Sequence, residues 1–277
     1  MAVALVLASG TALAVNTVCK GGGVGCTGTS GNDILIGTSS RETLKGLEGS
    51  DHIIGNAEND TLNGAAGSDT YTFTNDFGAD KLNDTGPAKE KDTVDFSKIL
   101  PGVNGMRIRV IPEWEAATGV PQYNNAFLQD NLAGPRVDFG STTTIERIVG
   151  SAGRDILEGG KQANTYDLSA GGNDSVLDRG GVPERPTFPV LPASNDTYTG
   201  YKSGHLRISD DGGSGDVLDL KPSKATDVSF GKDANNLLLI TGPAPNEVIE
   251  IVDYFSTTKK IEKMVFADRT ITGISLK

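Results

Sequence analysis

The chain has 277 residues, with 25 Lys and Arg against 36 Asp and Glu, a net charge of −11 and 6% aromatic residues. That acidic balance argues against binding nucleic acid or an anionic membrane, since both would repel it. So few aromatics leave stability to sheet hydrogen bonds, stacked aliphatic side chains and a counter-charge for the excess of carboxylates.

Residues 1–14 are uncharged, mostly apolar, and end in Ala12-Leu13-Ala14. They read as the h-region and cleavage site of a secretory signal peptide, without the usual basic n-region. The run is too short to span a membrane, and no other stretch is long and apolar enough, so no membrane span is expected. Cys19 and Cys26 are the only cysteines. In an exported protein a pair this close predicts a disulfide loop within residues 15–27 that caps the first coil. A two-cysteine metal site is the alternative, but no histidine lies nearby to complete a zinc shell.

From Gly28 a nine-residue repeat runs five times, within a first array placed at 28–100. Glycine recurs at Gly28, Gly37, Gly46, Gly55 and Gly64, and a carboxylate five positions later at Asp33, Glu42, Asp51, Asp60 and Asp69. Two positions further comes a large apolar residue: Leu35, Leu44, Ile53, Leu62 and Tyr71. Each unit divides into a glycine-rich loop and a short strand whose middle side chain points inward. A three-residue strand buries little alone but much when stacked on its neighbours. If one unit makes half a coil, Asp33, Asp51 and Asp69 stack in one column and Glu42 and Asp60 in the other. Carboxylates at the ~4.8 Å spacing of adjacent strands repel unless a cation sits among them. Calcium accepts carboxylates and the carbonyls of open loops together, at about 6–8 oxygens.

These residues resemble the RTX (haemolysin-type) calcium-binding repeat, whose pattern is G-G-x-G-x-D-x-U-x. The second glycine of that pattern is replaced throughout, by Thr29, Thr38, Leu47, Asn56 and Ala65. The third survives as Gly31, Gly49 and Gly67 and is Ser40 and Glu58 in the even copies. The resemblance implies an all-β fold: a right-handed parallel β-roll or β-helix holding several calcium ions, then a C-terminal β-rich domain. The tighter sites are expected between Asp33 and Asp51 and between Asp51 and Asp69. In the even column Arg41, beside the longer Glu42, is expected to stand partly in for a metal ion.

Beyond Tyr71 the register breaks, and Asp80 extends the even column if two extra residues are accommodated. Residues 101–149 read as an insertion or longer coils, with a strand at Met106-Arg-Ile-Arg-Val-Ile111 and Trp114 as a loop anchor. A second, shorter array is placed at 150–181. Asp155 and Asp174 are its candidate ligands, nineteen apart, with Asn164 and Tyr166 between them. Four prolines across 182–194 predict a stiff linker and a domain boundary. From 195 to 277, short β-type runs predict a separate β domain, with a hairpin connection at Gly231–Asn235. Asp196-Thr-Tyr198 there repeats Asp69-Thr-Tyr71.

No catalytic set is evident. His52 and His205 are the only histidines, and neither an H-E-x-x-H nor a G-x-S-x-G motif occurs. The expected role is a secreted, extracellular calcium-binding protein folded by calcium, with a structural, adhesive or matrix function and no enzymatic activity. An extracellular polysaccharide or a cell surface is the candidate partner. The alternative is an accessory or catalytic module of a secreted polysaccharide-acting enzyme of lyase or epimerase type, with a cleft near Trp114, Tyr123 and Arg136.

Overall fold

The computed structural model describes residues 16–19, 25–84, 86, 90–100, 106–109, 125–128, 136–139, 145–159, 164–178, 195–202, 204–210, 214–233, 237–242, 247–255 and 261–273. The expected signal peptide at 1–14, the proline-rich stretch at 182–194, Trp114 and Tyr123 lie outside these residues. Two compact units are formed, Met1–Leu100 with Tyr123–Arg147, and Pro101–Gln122 with Ile148–Lys277. Among the described residues none is α-helical, and no helix is long and apolar enough to cross a membrane.

In the first unit, short strands form around an inward apolar side chain, as at Leu35, Ile53, Tyr71 and Val94. Asn16–Val18, Ile34–Ile36, His52–Ile54, Thr70–Thr72 and Thr93–Asp95 lie side by side in one sheet. Cys26–Thr27, Thr43–Glu48, Thr61–Ala66, Ala79–Leu82 and Arg136–Phe139 succeed one another in a second. Pairing is parallel and advances eighteen residues per coil, with Asn16 facing Ile34, Ile34 facing His52, His52 facing Thr70 and Thr43 facing Thr61. Two nonapeptides therefore complete one coil of a parallel β-roll. Leu35, Leu44, Ile53, Leu62 and Tyr71 all point inward and are fully buried.

Later coils are longer, yet inward residues still meet inward residues: Tyr71 faces Val94 and Leu62 faces Leu82. A one-residue slip would turn the apolar set outward, so extra length is taken up in loops. Phe73, Phe77 and Phe96 pack together beyond Tyr71, with ring centroids 5.0 Å apart for Phe73–Phe96 and 5.4 Å for Phe73–Phe77. Cys19 and Cys26 form the expected disulfide at the start of the unit. Of the 101–149 segment, Asn125–Leu128 pairs antiparallel with Arg136–Phe139, which lies parallel to Ala79–Leu82.

The second unit repeats this plan. Thr165–Asp167, Thr197–Thr199, Val217–Asp219 and Lys263–Val265 stack in one parallel sheet. Met106–Arg109, Ile156–Gly159, Ser175–Asp178, His205–Asp210 and Val248–Ile251 stack in another. Here the expected boundary at 182–194 is corrected. Thr165 faces Thr197 and Ser175 faces Arg207, so the coils of the second array continue directly into the C-terminal residues. Exposed backbone groups on the last strand of a parallel stack are best met by the next coil, whatever the length of chain between them. Separate β character enters only at the end. Ser229–Lys232 and Leu238–Thr241 make the expected hairpin, which pairs antiparallel with Val248–Ile251, and Thr270–Thr272 turns back on Lys263–Val265.

The inward layer is one side chain deep, so each member has few neighbours able to fill a gap. Leu62→Ala is expected to cost about 2–5 kcal/mol by equilibrium denaturation. A cost near ~0.5 kcal/mol, typical of a surface change, would show that the coil interior is not the packed layer.

Candidate metal centre

Stacking brings the repeat carboxylates into register as an explicit ladder. The backbone N–H of Asp33 donates to Asp51 Oδ1 at 2.8 Å, that of Asp51 to Asp69 Oδ1 at 2.7 Å, and that of Asp69 to Asp92 Oδ1 at 2.8 Å. On the other side the N–H of Glu42 donates to Asp60 Oδ1 at 2.8 Å, and that of Asp60 to Asp80 Oδ1 at 2.9 Å. All seven carboxylates are buried. The two columns inferred from the period are thus present, and Asp80 does continue the even one across its two-residue slip.

A second ladder runs alongside, from the residue before each carboxylate. Ser50 N–H donates to Asn32 Oδ1, Ser68 N–H to Ser50 Oγ and Ala79 N–H to Asn59 Oδ1. A small amide or hydroxyl at that position therefore helps pin one loop over the next.

The loops themselves take two forms. In the first two copies the residue replacing the second glycine caps its own carboxylate. Thr29 donates from its backbone N–H to Asp33 Oδ2 at 2.5 Å and from its hydroxyl at 3.1 Å. Thr38 N–H reaches Glu42 Oε2 at 2.8 Å, and its hydroxyl reaches Oε1. Arg41 is exposed, so the carboxylate of Glu42 is met by Thr38 rather than by the neighbouring guanidinium. Ser151 serves Asp155 in the same way, with both bonds at 2.7 Å.

In copies three to five no hydroxyl is present, and the loop turns through left-handed backbone instead. Leu47, Asn56 and Ala65 have φ of +92°, +67° and +76°, followed by Gly49, Glu58 and Gly67 at +110°, +71° and +131°. Gly67 is obligatory, since a Cβ there would lie 1.7 Å from the Gly49 carbonyl oxygen. Gly31 does not share the left-handed turn of Gly49 and Gly67, because Thr29 folds the first loop onto Asp33. In this second form one carboxylate oxygen is left over. Asp51 Oδ2, Asp60 Oδ2, Asp69 Oδ2 and Asp80 Oδ2 are buried and have no hydrogen-bond partner.

Burial dominates their electrostatics, and neighbouring carboxylates add to it. Asp60 is pushed up to about 6, and Asp69 and Asp80 to about 7; Asp51 is raised as well. At the ~4.8 Å strand spacing each ionised pair repels by about 3 kcal/mol in an effective dielectric near 20. The orphaned oxygens fit a cation that offsets this. An all-oxygen donor set suits calcium rather than zinc, and Asp51, Asp60, Asp69 and Asp80 are the side chains that would hold it.

A family model of the RTX calcium-binding nonapeptide repeat matches the chain in four copies, over residues 27–41, 36–71 and 141–176. These coils are RTX calcium-binding repeats. No curated protein matches the chain. The β-roll is therefore a calcium-binding one. The RTX match reaches past the nonapeptides of the first unit into the coil of Asp155, whose N–H donates to Asp174 Oδ1 at 3.0 Å across the expected nineteen-residue step. Asp174 is raised to about 7, chiefly by burial.

The ladders also contain residues that the nine-residue period does not reach. Asp92 N–H donates to Glu146 Oε2 at 2.9 Å, Asn164 N–H to Asp196 Oδ1, Asp196 N–H to Asp216 Oδ1, and Asp216 N–H to Glu262 Oε2 at 2.8 Å. The available signal was the pair of phrases Asp92-Thr-Val-Asp95 and Asp216-Val-Leu-Asp219, each a carboxylate two residues before an inward apolar side chain. The histidines belong to neither column. His52 Nε2 lies 2.8 Å from Thr72 Oγ1, and the exposed His205 pairs with Glu250 at 3.1 Å, beside Arg207. Of the residues expected around a polysaccharide cleft, Arg136 falls in a described strand, whereas Trp114 and Tyr123 lie outside the described residues.

Carboxyls raised in the folded chain hold protons more tightly there than in the unfolded chain, where the ordinary value is ~4. Their stabilisation is full below that ordinary value and is lost as pH rises through about 6–7. In chelator, the thermal midpoint or β signal is expected to rise on acidification from about pH 8 to pH 5. The gain on adding calcium, which needs the ionised form, should be largest at the alkaline end. A metal-free fold that weakens over that acid range would contradict the raised values. Separately, Leu47 is 41% exposed at φ +92°, so Leu47→Gly should relieve strain at little packing cost and stabilise by about 1 kcal/mol. Denaturation at saturating calcium measures this, and a loss would mean that the turn is not strained.

Proposed function

We propose that the protein is a secreted calcium-binding β-roll whose folding is driven by extracellular calcium and whose role is structural, adhesive or matrix-forming rather than enzymatic. The observation that carries this reading is the set of buried, partnerless oxygens on Asp51, Asp60, Asp69 and Asp80, stacked on successive coils. A fold that gathers like charges in its interior has a built-in reason to wait for a cation. When the cation binds only the folded coils, its binding free energy becomes folding free energy. Extracellular modules typically bind calcium at about 10⁻⁴–10⁻³ M, so the chain would stay unfolded before export and fold outside.

The Cys19–Cys26 disulfide supports the extracellular setting, because such bonds persist in oxidising compartments. An apolar segment at residues 1–14 supports the general secretory route. The net charge of −11 suits contact with an extracellular polysaccharide or cell surface through bound calcium, and not with nucleic acid.

The test is circular dichroism of the chain without residues 1–14, titrated with calcium, with magnesium and with EDTA. Calcium in the millimolar range is expected to produce the β signal, magnesium much less, and EDTA to remove it. The same β signal in chelator as in calcium would refute calcium-driven folding.

A further inference from the structure

The same arrangement of five side chains occurs once in each unit, and only part of it belongs to the nonapeptides. In the first unit Asp69 begins the phrase Asp-Thr-Tyr71, and Tyr71 is fully buried. Its hydroxyl accepts from Gly64 N–H at 2.7 Å and donates to Asp84 Oδ2 at 2.7 Å. Asp92 then accepts from Asp69 N–H, and its own N–H donates to Glu146. In the second unit Asp196 begins Asp-Thr-Tyr198, and the buried Tyr198 donates to Asp210 Oδ2 at 2.9 Å. Asp216 accepts from Asp196 N–H and donates its own to Glu262. Position by position the two sets coincide, Asp84 with Asp210 and Glu146 with Glu262 included.

In each set one oxygen from each of three buried carboxylates lies within 4.8 Å of the other two: Asp69, Asp84 and Asp92, and Asp196, Asp210 and Asp216. Asp69 and Asp216 are 0% exposed, and each retains a buried Oδ2 with no hydrogen-bond partner. Glu90, close to the first set, likewise keeps a buried oxygen without a partner. The charges acting on Asp69 are those of Asp84, Asp51 and Glu90, and on Asp216 those of Asp210 and Glu262, all of one sign. Each tyrosine hydroxyl donates its proton to the middle aspartate and therefore offers none to the rest. A single shared proton would leave two buried negative charges; a divalent cation offsets them.

Asp84 and Asp210 lie in no nonapeptide. They stand just past or at the end of the strands Ala79–Leu82 and His205–Asp210, inside coils that are longer than eighteen residues. Thr70 pairs with Thr93 and Thr197 with Val217, so these coils carry residues beyond the two nonapeptides of a regular coil.

We propose that Asp69, Asp84 and Asp92 in one unit, and Asp196, Asp210 and Asp216 in the other, each hold a calcium ion at a coil-closing site distinct from the sites between successive nonapeptide loops. Tyr71 and Tyr198 act as positioning residues, each aiming the aspartate that its hydroxyl bonds, Asp84 and Asp210. The inference rests on the calcium-binding reading of the roll and shares only Asp69 with the nonapeptide ligands, so the two can fail separately.

The test counts calcium bound per full chain by equilibrium dialysis and isothermal titration. Asp84→Asn and Asp210→Asn are each expected to lose about one calcium, the double variant about two, and Asp51→Asn to lose binding independently of both. Wild-type uptake with the count unchanged in Asp84→Asn and Asp210→Asn, but reduced in Asp51→Asn, would overturn the coil-closing sites and leave the calcium-binding roll standing. A wild-type chain that takes up no calcium would overturn both. If an aspartate variant does not fold, Tyr71→Phe and Tyr198→Phe keep the buried ring and remove only the hydroxyl. Each should weaken one site roughly 10-fold or more and remove part of the tyrosine-sensitised terbium luminescence that calcium displaces. Unchanged titration and unchanged luminescence in both would overturn the proposal.

Discussion

Everything in this β-roll depends on how a buried aspartate divides its two oxygens. One accepts the backbone N–H of the carboxylate one coil earlier, and this repeats from Asp33 to Asp51 to Asp69 to Asp92. That bond fixes the coils in register and favours stacking. The other oxygen, on Asp51, Asp60, Asp69 and Asp80, has no hydrogen-bond partner among the described residues. The interaction that aligns the coils is therefore the one that crowds like charges. Protons at low pH, or a bound cation, would offset them.

The departures from the repeat pattern have a consistent physical sense in this light. Where a coil lies at the beginning of a ladder, a Thr or Ser hydroxyl takes the second carboxylate oxygen, as at Thr29, Thr38 and Ser151. Such loops satisfy their carboxylate within the chain. Further along, Leu47, Asn56 and Ala65 carry no hydroxyl, and the loop accepts left-handed backbone at non-glycine residues. Strain of about 1–2 kcal/mol per such residue is tolerable only where the surroundings over-determine the turn. Stacked loops above and below do this. The protein thus grades from self-capped coils to coils whose carboxylates keep an unpartnered oxygen.

The second unit shows how far this logic extends beyond a strict period. Its coils advance by nineteen or more residues, yet the carboxylate-to-N–H step is preserved at Asp155–Asp174, Asn164–Asp196 and Asp196–Asp216. Buried tyrosines join the aliphatics of the inward layer in these longer coils, and Tyr166 and Tyr198 stack with centroids 5.3 Å apart. A tyrosine also brings a hydroxyl that must find a partner, which Tyr71 and Tyr198 find in Asp84 and Asp210.

The period alone determined the parallel coil, the inward layer of Leu35, Leu44, Ile53, Leu62 and Tyr71, and the two columns of carboxylates. Those features arise from local alternation and a constant repeat length, both of which are visible in a string of residues. Tertiary structure alone decided which carboxylates keep an unpartnered oxygen, since that depends on loop conformation and on donors such as Thr29 or Ser151. It also decided that Thr197 and Arg207 pair with Thr165 and Ser175, and that Glu146 and Glu262 join columns 54 and 46 residues before them. Once loops vary in length, spacing no longer reports proximity, and only the pairing of strands shows which side chains share a site.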